Sequence, residues 1–286
     1  MNAECDGKCE SCSKKSDCTD QQKEMWEEQQ KLKQNLSRIK HKIAVISGKG
    51  GVGKSTVTVN LAMAFAIQGH ANRIGILDAD IHGPSIPWIM GLEDRHISID
   101  NDGFITPIEI ENIAIISIEL LLSNKNMPLI WRGPLKTRAI LELLSKTKIG
   151  KRDYLIVDMP PGTGDEPLTI AQNLKDKIIG AILVTIPGDL VKHVVTKAEF
   201  FLKELNIPLL GIVINMAYFK CPICTTIHKL FGEVYIDHKN IIAEVPIDPT
   251  LAQAINNGKL LKYLKEDNET TKSLFKISEF VLNFSR

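Results

Sequence analysis

The octapeptide Gly48-Lys49-Gly50-Gly51-Val52-Gly53-Lys54-Ser55 constrains this chain more than any other feature. It fits G-x-x-x-x-G-K-[ST], and it sits between an apolar run, Ile43–Ser47, and a helical pattern near 54–68, the strand–loop–helix setting that a phosphate-binding loop requires. Glycines let successive backbone N–H groups turn inward on phosphate oxygens, and the helix N-terminus adds partial positive charge. Lys54 is then expected to reach the β- and γ-phosphates, Ser55 to ligate Mg²⁺ and Thr56 to touch the α-phosphate. Lys49, a second lysine inside the loop, has no role that the motif alone assigns.

The rest of the chain is consistent with an α/β protein. Short apolar runs at 73–77, 113–118, 154–157, 179–185, 209–214 and 242–245 alternate with helical patterns at 134–146, 189–204 and 270–285. This alternation predicts a mainly parallel sheet flanked by helices. The 286 residues, 44% of them hydrophobic, suffice for one such domain over 41–286. Ahead of it we expect a tether helix over 21–40, with Met25, Leu32, Leu36 and Ile39 at roughly helical spacing, and a polar segment over 1–20 that cannot bury a core of its own. Met1–Asp20 carries no signal-peptide apolar stretch, no run approaches the ~20 residues that span a bilayer, and the net charge is only +1. A cytoplasmic protein is expected, without nucleic-acid or membrane partners. The apolar residues Leu274, Phe275, Ile277, Phe280, Val281 and Phe284 are assigned to a core-covering helix because the stripe is wide and poor in cations.

Acidic residues fall where strands end, and in open α/β sheets ligands sit outside the carboxyl ends of strands. Asp78, Asp80 and Asp158 all do so. Asp158, followed by Met159-Pro160-Pro161-Gly162-Thr163-Gly164-Asp165, is expected to hold Mg²⁺ through water and to open a loop that senses the γ-phosphate. Asp80 is the candidate to orient an attacking water. Asp78 and Asp165 are as well explained as turn or cap residues, and His82 as a loop residue.

Six cysteines occur in two groups. Cys5, Cys9, Cys12 and Cys18 lie within fourteen residues with the spacing C-x₃-C-x₂-C-x₅-C, enough thiolates for one Zn²⁺ or one iron–sulfur cluster, and spacing does not separate the two. Cys221-Pro222-Ile223-Cys224 supplies half a tetrahedral site. Its completion is open between the N-terminal cysteines, His228 with another ligand, and the same pair from a second chain. The last would place four thiolates on a two-fold axis, a seat for a [4Fe–4S] cluster. A redox dithiol is the competing reading.

The string Lys49–Thr56 resembles the deviant phosphate loop of the MinD/ParA ATPases. The ordered set Gly48–Thr56, Asp80–Ser85, Trp131-Arg132-Gly133-Pro134, Asp158–Asp165, Asn215-Met216 and Cys221–Cys224 resembles the Mrp-type iron–sulfur cluster carrier ATPases over residues 36–260. The N-terminal cysteines look like those of the eukaryotic cytosolic scaffold branch, with a shorter first spacing here. The resemblance implies an ATP-binding, slowly hydrolysing homodimer, with Lys49 crossing to the partner's ATP and Asn215 reading adenine. It implies that Cys221 and Cys224 bridge a labile cluster that passes to apo iron–sulfur proteins. An acid that relatives carry near Asn256-Asn257-Gly258 is missing. A positioning ATPase or a zinc-bearing regulatory ATPase are the alternatives, and Trp131 and Arg132 have no physical role that we can derive.

Overall fold

The computed structural model describes residues 20–69, 73–81, 83–122, 133–188 and 190–285. Helix α1 (Asp20–Ser37) leads into β1 (Ile39–Ile46) and α2 (Lys54–Ile67). Then follow β2 (Ile74–Asp78), α3 (Ile86–Ile89), β3 (Ile108–Ile110), β4 (Ile113–Ser117), α4 (Gly133–Lys146), β5 (Arg152–Asp158) and α5 (Asp165–Leu174). The chain continues through β6 (Ile178–Thr185), α6 (Val191–Glu204), β7 (Leu209–Ile214), a small hairpin of β8 (Phe219–Lys220) and β9 (Ile227–His228), β10 (Ile241–Glu244), α7 (Pro249–Asn256), α8 (Leu260–Leu264) and α9 (Glu269–Ser285).

The main sheet has the order β10-β7-β6-β1-β5-β2-β4-β3. Every neighbouring pair is parallel except β3 with β4. Strands buried on both faces must be apolar on both, and Ile43, Val45, Ile76, Ile115, Ile156, Leu183 and Val213 are all fully enclosed. The step from β1 to β2 runs one way along the sheet, whereas the steps β4→β5, β5→β6 and β6→β7 run the other way. With right-handed crossovers, α2 covers one face, and α4, α5 and α6 the other. The direction reverses at β1, so the loop leaving β1 opens at a topological switch point.

The two terminal helices behave as covers. In α9, Leu274, Ile277, Val281 and Leu282 are buried and the helix packs along α2. In α1, Leu32 and Leu36 are buried against the α4 side, where Asn35 Nδ2 donates to the carbonyls of Leu144, Ser145 and Thr147 at 2.9–3.0 Å. That single amide caps the end of α4, whose last carbonyls have no partner inside the helix.

The first strand corrects an expectation. Ile39 belongs to β1 and not to the helix, and the strand starts four residues before its apolar run because His41 and Lys42 break the hydrophobic pattern. Lys42 is 1% exposed, and its ammonium donates to the carbonyl of Asp176 beyond the end of α5. Burial pushes its pKa down to about 8. The folded pKa lies below the unfolded one, so Lys42's contribution is fully favourable only above about pH 10.4 and is lost as pH falls through 8. Lys42→Met is therefore expected to raise stability at pH 7 by roughly 1–3 kcal/mol, with the gain shrinking above pH 8. Urea unfolding at pH 7 and pH 9.5 measures this, and an equal gain at both would be against it.

Candidate functional site

Gly48–Gly53 wraps the end of β1, and Lys54 begins α2. Gly53 takes φ +83, a conformation that favours glycine, and a Cβ there would fall 2.1 Å from Asn215 Nδ2. Any side chain at 53 would thus displace Asn215, whose amide donates to the carbonyl of Val52 at 2.9 Å. The loop is held from behind by the end of β7, a tie across 163 residues. Lys49, Gly50 and Gly51 are exposed on its outer side, and Thr56 is half-buried on the first turn of α2.

Inside the loop, three carboxylates face one ammonium. Lys54 Nζ lies 2.8 Å from Asp158 Oδ2 and 3.7 Å from Asp80 Oδ2. Asp158 is fully buried and takes two further hydrogen bonds, from Ser55 Oγ at 2.6 Å to Oδ2 and from Thr58 Oγ1 at 2.7 Å to Oδ1. The third acid, Asp78, is held by the Asp80 N–H at 3.3 Å and Ser117 Oγ at 3.2 Å. Burial pushes its carboxyl well above the usual range, the Asp158 charge adds to this, and Lys54 only partly opposes it. One lysine stands among three acids, two of them buried, and Asp78 is the one whose carboxyl is pushed up.

The site also offers hydrogen-bonding capacity. Ser47 Oγ and Asp80 Oδ1 are buried with no hydrogen-bond partner among the described residues. The loop after Asp158 is tied to the phosphate loop by the Gly162 N–H, which donates to the Ser47 carbonyl at 2.8 Å, with Gly162 at φ +90. A hydroxyl and a carboxylate oxygen 2.6 Å apart are hard donors, and the pair Ser55–Asp158 is one that would suit Mg²⁺.

The second cysteine group lies at the tip of the β8–β9 hairpin. Cys221 N–H donates to Thr226 O at 3.0 Å and Thr225 N–H to Cys221 O at 2.9 Å, with Thr225 at φ +58, so the four residues close a tight turn. Cys221 is half-buried and Cys224 exposed, and both are free thiols. A hydrogen bond joins Cys224 Sγ and Thr226 Oγ1 at 3.2 Å. The Thr226 hydroxyl and N–H, and then Cys221, stabilise the thiolate and bring Cys224 down to about 7. A thiolate available at neutral pH is what a soft metal needs. His228 pairs in β9 opposite Phe219. Cys5, Cys9, Cys12, Cys18, His82, Trp131 and Arg132 lie outside the described residues.

Three contributors stand outside the sequence expectations. Thr58 could have been found, since four residues past Lys54 is one helical turn along the face toward β5. Thr226 and Ser117 reach the site only through pairing. Asn215 and Asp158 lie 57 residues apart in sequence yet both abut the phosphate loop.

The parallel sheet, its switch point and the loop with two lysines define a P-loop NTPase of the MinD type. The chain belongs to the ParA group described as the NUBPL iron-transfer P-loop NTPases, whose family model matches residues 38–282. It is 47% identical over 230 residues to an "iron-sulfur cluster carrier protein" of Methanocaldococcus jannaschii, covering 80% of this chain and 78% of the relative. It is 39% identical over 262 residues to a "cytosolic Fe-S cluster assembly factor NUBP1 homolog" of Caenorhabditis briggsae, covering 88% and 83%. A nucleotide-binding protein of Archaeoglobus fulgidus, solved in complex with ADP and with cobalt found in it, superposes with a TM-score of 0.71 at 38% identity, covering 86% of this chain and 96% of that one. The cell division ATPase MinD of Pyrococcus furiosus, at 20% identity and a TM-score of 0.58, shares the fold, covering 85% and 99%.

Proposed function

We propose that this protein is an ATP-dependent carrier that holds a [4Fe–4S] cluster as cargo and passes it to apo iron–sulfur proteins. The observation that carries this reading is the placement of two free thiols, half-buried Cys221 and exposed Cys224, on a hairpin leaving the same end of the sheet as the phosphate loop. The names of the relatives support it. Two thiolates leave a tetrahedral cluster half-ligated, so the proposed assembly is a homodimer in which each copy gives one pair. The segment 1–20, with Cys5, Cys9, Cys12 and Cys18, is proposed as a separate metal or cluster site, and 21–40 as its tether to the ATPase domain. A cytoplasmic location accords with reduced thiols, and no helix among the described residues is long and apolar enough to cross a membrane.

In this reading the Gly50–Thr56 amides, Lys54 and Asn215 bind ATP. Mg²⁺, held by Ser55 and through water by Asp158, supplies charge neutralisation at the phosphates. Asp80 orients the attacking water, and the Gly162 loop registers the γ-phosphate through its bond to Ser47. Lys49, on the exposed outer side of the loop, reaches the nucleotide of the other copy. Lys49→Ala is expected to keep ATP affinity within about twofold and to lower kcat by about 10²-fold or more, as loss of a charge acting in trans does. Normal turnover by that variant would remove the trans role.

Anaerobic reconstitution with iron and sulfide tests the whole reading. A brown dimer with about one cluster per Cys221/Cys224 bridge, able to activate an apo iron–sulfur protein, is the expected result. A colourless protein with stoichiometric zinc would favour a regulatory ATPase, and ATP-dependent sedimentation with DNA or liposomes a positioning one.

A further inference from the structure

Asn215 follows β7 beside the phosphate loop, and Cys221 opens the thiol turn six residues later. The chain between them is pinned. Asn215 N–H donates to Thr185 O at 2.7 Å, Met216 turns with φ +54, Ala217 N–H donates to Val245 O at 2.9 Å, and Ile247 N–H donates to Tyr218 O at 2.7 Å. Beyond Tyr218 the chain leaves the body of the molecule, and residues 222–233 are all exposed, with Ile223 at 93%. On the entering strand, one carboxylate meets it at this exit. Glu269 Oε1 accepts from Tyr218 Oη at 2.7 Å, and Glu269 Oε2 lies 3.2 Å from Lys220 Nζ. The returning strand is tied further out, by the Gly188 N–H to Glu233 O at 3.3 Å.

Glu269 is well placed to act as an anchor. It is the first residue of α9, whose buried face packs on α2, the helix that begins at Lys54. The Lys220 pair is about half exposed and contributes little alone. The Tyr218 bond is short and charge-assisted. It holds the Glu269 carboxyl below the usual range, so the acid is ionised at neutral pH.

We propose that Glu269 is a positioning residue for the thiol pair: gripping Tyr218 and Lys220 with its two oxygens, it fixes the strand that enters Cys221 and makes the thiols follow the phosphate loop through Asn215. The inference rests on the carrier reading and adds to it the route by which nucleotide reaches the metal. Without the grip, β8 would swing on Tyr218, and the thiols would spread over more orientations than one metal can use. Residues that orient metal ligands from behind typically change affinity by 10–100-fold. Glu269 acts one step further away, so about three- to tenfold is expected.

The test uses the full chain carrying Cys5→Ser, Cys9→Ser, Cys12→Ser and Cys18→Ser, so that cobalt reports only the hairpin. Co²⁺ is titrated by its thiolate charge-transfer absorption, with and without ATP, Mg²⁺ being in large excess so that nucleotide does not compete for cobalt. Glu269→Ala and Tyr218→Phe are each expected to weaken Co²⁺ about three- to tenfold and to abolish the difference between the two nucleotide states. Their double variant should be no worse than the stronger single one, because both remove one interaction. Glu269→Gln, which still accepts from Tyr218, should recover most of the affinity, and ATP affinity should stay within about twofold throughout. Unchanged cobalt affinity in both single variants, or effects that simply multiply, overturns the proposal. A parent with equal affinity in both nucleotide states removes the link to the phosphate loop. A parent that binds no cobalt through Cys221 and Cys224 overturns the carrier reading and this inference together, whereas binding that ignores Glu269 overturns the inference alone.

Discussion

Lys54→Ala is expected to weaken ATP binding by roughly 10²-fold and to destabilise the free protein. Two separate costs arise from one side chain. The ammonium is the only cation among the described residues within ion-pair distance of Asp158 and Asp80, and the proposed contact to the β- and γ-phosphates is a charge-assisted one worth about 2–3 kcal/mol, or roughly 10²-fold in affinity. Its removal also strands Asp158, which has no solvent access, beside Asp80. Breaking a buried pair by deleting one partner costs about 3–5 kcal/mol. Ser55 and Thr58 still donate to Asp158, which places the loss at the lower end. Urea unfolding measures the second cost and ATP titration by calorimetry the first. A variant as stable as the parent would show that the acids take up protons cheaply. One that binds ATP normally would remove Lys54 from the nucleotide site.

Cys221→Ala and Cys224→Ala are expected to do the reverse. Each should abolish the bridging cluster, read as loss of the visible absorbance not due to Cys5–Cys18, while ATP affinity stays within about twofold. The asymmetry has a structural cause. The thiols stand on a two-stranded hairpin whose turn residues are exposed, so neither substitution opens a cavity in the core. The proposed nucleotide contacts lie on the other side of Tyr218, where the chain is held by hydrogen bonds to β6 and the segment after β10. In the proposed dimer each copy gives two thiolates, so one missing thiol per chain removes two of four ligands. Either variant retaining full cluster content after reconstitution would end the bridging model.

Much of this arrangement was legible in the sequence because it is local. The β1–α2 phosphate loop is a contiguous string whose spacing encodes its own geometry, and Asp158 and Asp80 are marked by following apolar strands. The apolar runs named the parallel strands of the sheet, apart from the start of β1, where Lys42 satisfies its ammonium on a backbone carbonyl and so hides a strand behind two polar residues. Strand β3 was not marked: it is three residues long, antiparallel and at the sheet edge, half of it facing water.

What only the tertiary structure decided is how distant groups share charge and hydrogen bonds. No spacing rule says that Asp78 is the acid whose carboxyl is pushed above its usual range. That follows from its own burial and from the Asp158 charge beside it, which Lys54 only partly opposes. Nor does sequence show that the C-x-x-C residues sit on a hairpin, or that Glu269, 51 residues after Tyr218, meets it at the exit from the body. The sequence by itself determined the alternation of strands and helices, the phosphate loop and the donor chemistry of the thiols, because these are properties of residue type at short separation. Folding decided which acid meets which base, because electrostatic energy in a low-dielectric interior depends on distances of a few ångströms that residue order does not contain.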